Sequence, residues 1–297
     1  MIDINNIVCP VDFSPCAAHA LEHAVAMARW YQAKLTLLYV FPNLPAIDLP
    51  PLALSDRDRE RLSCELREFA HRARGIDLDL QVREASDVHV EINTLATQRS
   101  ADLLVLGSHG RSGLNRLFLG SVTERVIRTP PCTTMVVPEA APGHDPDEPE
   151  RFARILCAVD FSDASTRALN YATALAEEAD ARLIVMHAIV IPPEWREHSL
   201  PAHVNVDQVR AAAEAAALRQ LRAMIPEDAR TYCTVETAVE EGAADKQILS
   251  LARDRQADLI VMGSHGRGML SALLSGSTTV RVVRGSTCPV IVGAARP

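Results

Sequence analysis

ADLLVLGSHGR (residues 101–111) and ADLIVMGSHGR (257–267) are the same eleven-residue stretch written twice, with nine of eleven positions identical. Each is an apolar run of strand character that stops at a glycine. Each then continues to a glycine–serine pair at the same spacing, G-x2-G-x9-G-S: Gly107, Gly110, Gly120 and Ser121 in the first copy, Gly263, Gly266, Gly276 and Ser277 in the second. A buried strand that gives way to a glycine loop and then to a helix start is a place where backbone N–H groups converge, and such a place suits an anion. The chain therefore reads as an internal duplication with a candidate phosphate site in each half.

The pairing extends outward from the glycines. IVCPVDFS (7–14) matches ILCAVDFS (155–162), and KLTLLYV (34–40) matches RLIVMHA (182–188), both at an offset of 148 residues. At the loops the offset is 156, and PCTTMVVP (131–138) matches TCPVIVGA (287–294) at that larger value, so the second half carries eight extra residues between its second strand and its loop. PEAAPGHDPDEPE (138–150), rich in proline and acid and without periodicity, reads as a solvated linker. The expected division is a domain over 1–138, a linker over 139–150 and a domain over 151–297. A repeat of this length is a domain and not a solenoid unit.

Within each half, short apolar runs alternate with helical patterns. In the first, IVCPV is followed by Ser14-Pro15, an N-cap and first-turn proline, and by helical spacing to about Tyr31. LTLLYV reads as a strand, residues 55–74 as a charged helix, 78–85 as a strand and 90–100 as a helix. DLLVLG is a fourth strand, 121–128 a fourth helix and TTMVV a fifth strand. Strands buried on both faces and separated by helices imply an α/β fold with a doubly wound parallel sheet in each half. In such sheets the ligand crevice lies beyond the carboxyl ends of the strands. Asp12 and Gly107 both fall there.

Composition narrows the function classes. With 297 residues, 48% hydrophobic and 23% charged, the chain fits two ordinary globular domains. A net charge of −8 gives no electrostatic support for nucleic acid or acidic lipid as partner. Lys34 and Lys246 are the only lysines, so lysine-dependent phosphate chemistry is hard to assemble. The start MIDINNIVCPVDF lacks the basic and apolar regions of a signal peptide, and no apolar run approaches the roughly 18–20 residues that span a bilayer. Seven cysteines contain no C-x-x-C pair. Cys9 and Cys157, and likewise Cys132 and Cys288, occupy matching apolar positions and read as small buried hydrophobes. A reducing cytoplasm is the expected compartment.

The loop chemistry leaves several roles open. Ser121 begins S-V-T-E, a capping-box pattern in which Ser121 caps the helix and Glu124 reaches back; free amides at the same helix start also suit a phosphate. Arg111 and Arg267 read equally well as phosphate ligands and as solvated surface residues. His109 and His265 each follow a serine (Ser108, Ser264). A histidine bonding its own loop is the better reading than a Ser–His nucleophile, because no orienting acid is placed by the sequence. There is no G-x-x-x-x-G-K-[ST] loop, the glycines follow the fourth strand and not the first, and His187, His198 and His203 match no metal signature.

Taken together these motifs resemble the universal stress protein family in its tandem two-domain form, over nearly the whole chain. The twice-intact G-x2-G-x9-G-[ST] resembles that of the family's ATP-binding branch. The resemblance implies two tandem, Rossmann-like five-stranded parallel sheets, of the adenine nucleotide alpha hydrolase kind, related by a pseudo-twofold axis, each with an ATP site at its strand ends. It implies that Asp12 and Asp160 face the adenosine with the backbone at Pro10 and Val11, or Ala158 and Val159. Val40 and Ala188 would line the base pocket. Gly107, Gly110, Gly120 and Ser121 would cradle the phosphates in the first repeat, with Ser108, Arg111, Val122 and Thr123 also among the nucleotide-binding residues. Gly263, Gly266, Gly276 and Ser277 would do so in the second, with Ser264, Arg267, Thr278 and Thr279 also among its nucleotide-binding residues. The ligand would be ATP, with ADP and AMP as alternatives, accompanied by Mg2+. The resemblance also implies pairing of the two domains through their last strands, TTMVV and PVIVG, and raises a homodimer as a further association. Two departures stand out: Pro10 becomes Ala158, and the glycine the family places after the third strand is Gly242 in one half and Ser86 in the other.

Three functions compete. The first is a cytoplasmic nucleotide-binding regulator of a stress response, not an enzyme. The second is a slow ATPase or phosphotransferase using the same pocket, for which the sequence shows neither a lysine nor a carboxylate placed near the phosphates. The third is a nucleotide-free dimerisation scaffold, which the intact motifs disfavour.

Overall fold

Ser14 and Pro15 begin the first helix in the way their chemistry dictates. The computed structural model describes residues 2–43, 54–110, 119–143, 152–190, 206–227, 229–264 and 277–293. In it Ser14 Oγ accepts from Ala17 N at 3.2 Å, and Pro15 is the first helical residue. The first repeat runs β1 (Asn6–Pro10), α1 (Pro15–Tyr31), β2 (Lys34–Pro42), α2 (Asp56–Phe69), a 3-10 turn (Ala70–Ala73), β3 (Leu78–Ala85), α3 (Val88–Gln98), β4 (Leu103–Gly107), α4 (Ser121–Arg128) and β5 (Thr133–Val137). The second runs β6 (Arg154–Ala158), α5 (Asp163–Ala179), β7 (Arg182–Ile189), α6 (Val206–Met224), α7 (Ala229–Tyr232), β8 (Val235–Glu241), α8 (Ala244–Asp254), β9 (Leu259–Gly263), α9 (Ser277–Gly285) and β10 (Val290–Gly293). The eight extra residues fall between β7 and β8, where a 19-residue helix replaces the 14-residue α2.

The described residues of Ile2–Arg151 and Ser286–Pro297 form one compact unit, and those of Phe152–Gly285 form the other. In the first, the parallel strands lie in the order β3-β2-β1-β4-β5. The C-terminal strand β10 adds to β5 in antiparallel register, with Val290 opposite Val136 and Val292 opposite Thr134. In the second, the parallel order is β8-β7-β6-β9. In both, chain order reverses beside the first strand of the repeat, between β1 and β4 and between β6 and β9. That is the switch point where helices cross to opposite faces and leave a crevice.

Burial explains why these runs are strands. Ile7, Val8 and Cys9 of β1 and Leu103, Leu104 and Val105 of β4 are fully buried, so both faces of the sheet are covered. On one face Val8, Leu38, Leu104 and Leu106 pack with Ile92 and Leu95 of α3 and Val126 of α4. Each such aliphatic side chain contributes about 1.5–3 kcal/mol on burial. At the amino ends of the central strands the two repeats use the same carboxylate device. Asp102 Oδ2 accepts from Asn5 N at 2.9 Å and Asn6 N at 3.0 Å, and Asp258 accepts from Ala153 N at 2.9 Å and Arg154 N at 3.0 Å. Burial raises the Asp258 carboxyl from its ordinary value, against the pull of the Arg154 and Ala153 N–H groups.

All seven cysteines are free, and Cys64 is the exposed one. Cys9, Cys132, Cys157 and Cys288 are buried, as their matched apolar positions predict. Burial pushes the Cys9 thiol up to about 12 and raises Cys157 as well.

Candidate functional site

After β1 the chain makes a tight turn built on Asp12. Asp12 Oδ1 accepts from Ser14 N at 3.1 Å, and Phe13 between them takes a left-handed φ of 63°. The second repeat repeats the turn: Asp160 Oδ1 accepts from Ser162 N at 3.1 Å and Ser162 Oγ at 2.6 Å, with Phe161 at φ 63°. A left-handed aromatic is uncommon and is held only where its surroundings fix it. Here the Phe13 ring stacks on Tyr39 at 4.8 Å and meets Phe69 edge-on at 5.5 Å, and Phe161 lies 4.3 Å from the His187 ring. The turn sets each aspartate at the carboxyl end of the first strand of its repeat, beside the switch point.

The glycine loop closes over this aspartate. A Cβ on Gly110 would lie 2.5 Å from Asp12 Oδ2, and one on Gly120 would lie 3.2 Å from the Ser108 carbonyl oxygen. At the strand ends, a Cβ on Gly107 would meet Cys16 O and Sγ at 3.0 Å, and one on Gly263 would meet Ala164 C at 3.0 Å. Close approach, more than turn geometry, is what these positions require of glycine.

The start of α4 departs from the capping box expected at Ser121. Gly120 is the N-cap, no side chain caps the helix, and Ser121 is already its first residue. Glu124 does not reach back; its carboxylate takes Arg128 at 2.7 Å, one turn on. The reason is two anchors to the loop: Gly120 N donates to Ser108 O at 2.8 Å, and Thr123 Oγ1 donates to Gly107 O at 2.8 Å. These pull the helix start one residue forward and leave its first amides without a side-chain partner.

Between these parts lies a cavity of about 330 Å³. Pro10, Val11, Asp12, Val40, Gly107, Gly110, Gly120, Ser121, Val122 and Thr123 all line it, so ten of the first-repeat candidates meet in one place. Ser108 does not line it. Its hydroxyl, in a residue only 1% exposed, lies 2.8 Å from His109 Nδ1 and 3.7 Å from Cys16 Sγ, which matches the loop-bonding reading of the histidine. Arg111 lies outside the described residues. Sequence reasoning missed an apolar wall of Leu38, Pro42, Val88, Ile92 and Leu106, together with Tyr39, His109 and Ala17. A signal was available in the parallel register: Pro10 pairs with Leu38, which brings Tyr39 and Val40 to the same strand end.

In the second repeat Ala158, Val159, Asp160 and Ala188 stand at or just beyond the ends of β6 and β7, Gly263 ends β9, and Ser264 follows it, buried. Ser277, Thr278 and Thr279 open α9, and Thr279 Oγ1 donates to Gly263 O at 3.4 Å. His265, Gly266, Arg267 and Gly276 lie outside the described residues, as do His198 and His203. His187 takes the place of Tyr39 and donates from Nδ1 to Val159 O at 2.8 Å. Among the described residues no group of three or more His, Cys, Asp or Glu side chains is placed to hold a metal ion, and no helix is long and apolar enough to cross a membrane.

Both repeats have counterparts in known proteins. The model of the universal stress protein family matches residues 3–138 and again residues 151–293. A universal stress protein of Methanocaldococcus jannaschii is 32% identical over 137 residues, which cover 44% of this chain and 80% of that protein. A universal stress protein of Mycolicibacterium smegmatis is 25% identical over 305 residues, 96% of each chain. Among solved structures, a universal stress protein from Archaeoglobus fulgidus has the same fold, with a TM-score of 0.65 and 23% identity over 97% of this chain and 98% of that one. With a family match to each repeat and a relative aligned from end to end, the chain belongs to the universal stress protein family, in its tandem form.

Proposed function

We propose that the cavity of the first repeat binds an adenine nucleotide, ATP above all, and that the chain acts as a nucleotide-responsive regulator rather than as an enzyme. One observation carries the reading: a single cavity joins an apolar wall, the Asp12 carboxylate and the uncapped start of α4. A flat heterocycle suits the wall formed by Leu38, Val40 and Ile92. Asp12 is an acceptor suited to sugar hydroxyls. The N–H groups at Ser121 and Val122, with the positive end of the helix dipole, suit phosphate oxygens. The fit rests on this chain's own geometry, since the glycines leave the space that a Cβ would fill. Mg2+ would arrive bound to the phosphates, because the described residues hold no metal cluster of their own. The second repeat shares Asp160, Gly263 and Thr279 in matching places and is the second candidate site. Seven free cysteines support a reducing compartment, the cytoplasm.

Small molecules released from freshly purified protein, identified by mass spectrometry, test the reading together with titration calorimetry using Mg-ATP. Bound adenine nucleotide with negligible phosphate release is the expected result. Sustained phosphate release would establish turnover instead, and an empty protein that gives no heat with Mg-ATP would refute nucleotide binding. Gly120→Val places a branched side chain 3.2 Å from a backbone oxygen and is expected to weaken the first site without unfolding the chain.

A further inference from the structure

The family resemblance offers Thr123 and Thr279 as nucleotide-binding residues, yet the geometry points to a different role. We infer that Thr123 is a positioning residue: its hydroxyl anchors the start of α4 to the end of β4 and masks a carbonyl that would otherwise repel an anion. This rests on the reading of the cavity as a nucleotide site.

A threonine hydroxyl carries one proton. In Thr123, a residue only 5% exposed, that proton goes to Gly107 O at 2.8 Å. A phosphate oxygen in this site only accepts, so Thr123 cannot donate to it without giving up Gly107. Gly107 itself lines the cavity. Left bare, a carbonyl oxygen there would present partial negative charge to the phosphates. The next carbonyl, Ser108 O, is masked the same way by Gly120 N at 2.8 Å. Both carbonyls of the turn are thus taken by donors from the helix start, and the same two bonds fix where the free amides of that helix point. Donors held in place before the ligand arrives cost nothing to reorganise when it does. The second repeat carries the same anchor, drawn less tightly: Thr279, 4% exposed, reaches Gly263 O at 3.4 Å.

The test uses the full chain with Thr123→Val, which keeps shape and loses the hydroxyl, and Thr123→Ser, which restores it. Affinities for Mg-ATP and for adenosine, a probe without phosphates, are measured by calorimetry, and amide exchange of the first turn of α4 by NMR or mass spectrometry. Thr123→Val is expected to weaken Mg-ATP at one site by about tenfold, the worth of one anchoring hydrogen bond. Adenosine should be unaffected, exchange in the first turn should quicken, and Thr123→Ser should recover both. Equal losses for ATP and adenosine would overturn the positioning role and leave a general packing defect. Unchanged exchange in Thr123→Val would overturn the anchor itself, whatever the nucleotide result. Faster exchange in a protein that binds no adenine nucleotide even as wild type would refute the nucleotide reading while the anchor stands.

Discussion

Replacing Gly110 by alanine asks the most of the site for the smallest change in mass. The added Cβ would sit 2.5 Å from Asp12 Oδ2, whereas ordinary contact begins near 3.4 Å, so the carboxylate has to retreat by about 0.9 Å. Asp12 is not free to do so, because its other oxygen holds Ser14 N at 3.1 Å and that bond shapes the turn around the left-handed Phe13. Loss of that hydrogen bond alone is worth about 1 kcal/mol net, and crowding of a packed site adds about 1–3 kcal/mol. Because Asp12 lines the cavity, the disturbance falls on the ligand. Gly110→Ala is expected to weaken Mg-ATP at the first site by roughly tenfold or more and to lower the melting temperature by a few degrees as well. Calorimetry resolves the two sites, and differential scanning calorimetry reports the fold. A useful control is Gly75→Ala, where φ is +80° and a Cβ would meet nothing within 4 Å. There the backbone penalty of about 1–2 kcal/mol should lower stability and leave binding intact. Wild-type affinity at both sites in Gly110→Ala would refute the placement of Asp12 against the ligand.

Other expectations follow from the same geometry. Gly107→Ala and Gly263→Ala press a methyl onto the backbone at the start of α1 or α5, which cannot step aside, and each should cost about 1–3 kcal/mol in urea unfolding. Thiol labelling of the native protein should show one fast cysteine, Cys64, with Cys9 and Cys157 reacting only on unfolding, since they are buried and their thiols are held protonated. Asp258 has a folded-state pKa above its unfolded value, so the folded chain binds that proton more tightly and gains stability as the pH falls through the raised value. Asp258→Asn lacks this gain, so wild type should improve relative to the variant as urea unfolding is repeated from pH 7 down to pH 4. A constant gap would contradict the burial of this carboxylate.

Much of this architecture was legible in the residues. The bounds of α1, β3, α4 and β5 match the runs read in the sequence, and the two-fold duplication told which glycines mattered. The helix placed over 90–100 starts earlier, at Val88, because Val88 and Ile92 turn toward the cavity and continue its apolar face. The capping box at Ser121 misled because the competing donors, Gly120 N and Thr123 Oγ1, bond to carbonyls twelve and sixteen residues back, beyond the reach of a local pattern. The left-handed Phe13 and Phe161 were equally hidden, since an aromatic side chain carries no preference for that region and the turn around each aspartate imposes it. The apolar wall was invisible for a different reason: Leu38 and Leu106 are in strands, where leucine means core.

The antiparallel seat of β10 on β5 bears on how this chain can be divided. A fragment ending at residue 143 would keep all five parallel strands of its sheet but leave the outer side of β5 bare, a row of unanswered amides and carbonyls of the kind that recruits stray strands. Residues 290–293 therefore finish a sheet begun at residue 6, and the N-terminal half has to wait for them before its border is sealed.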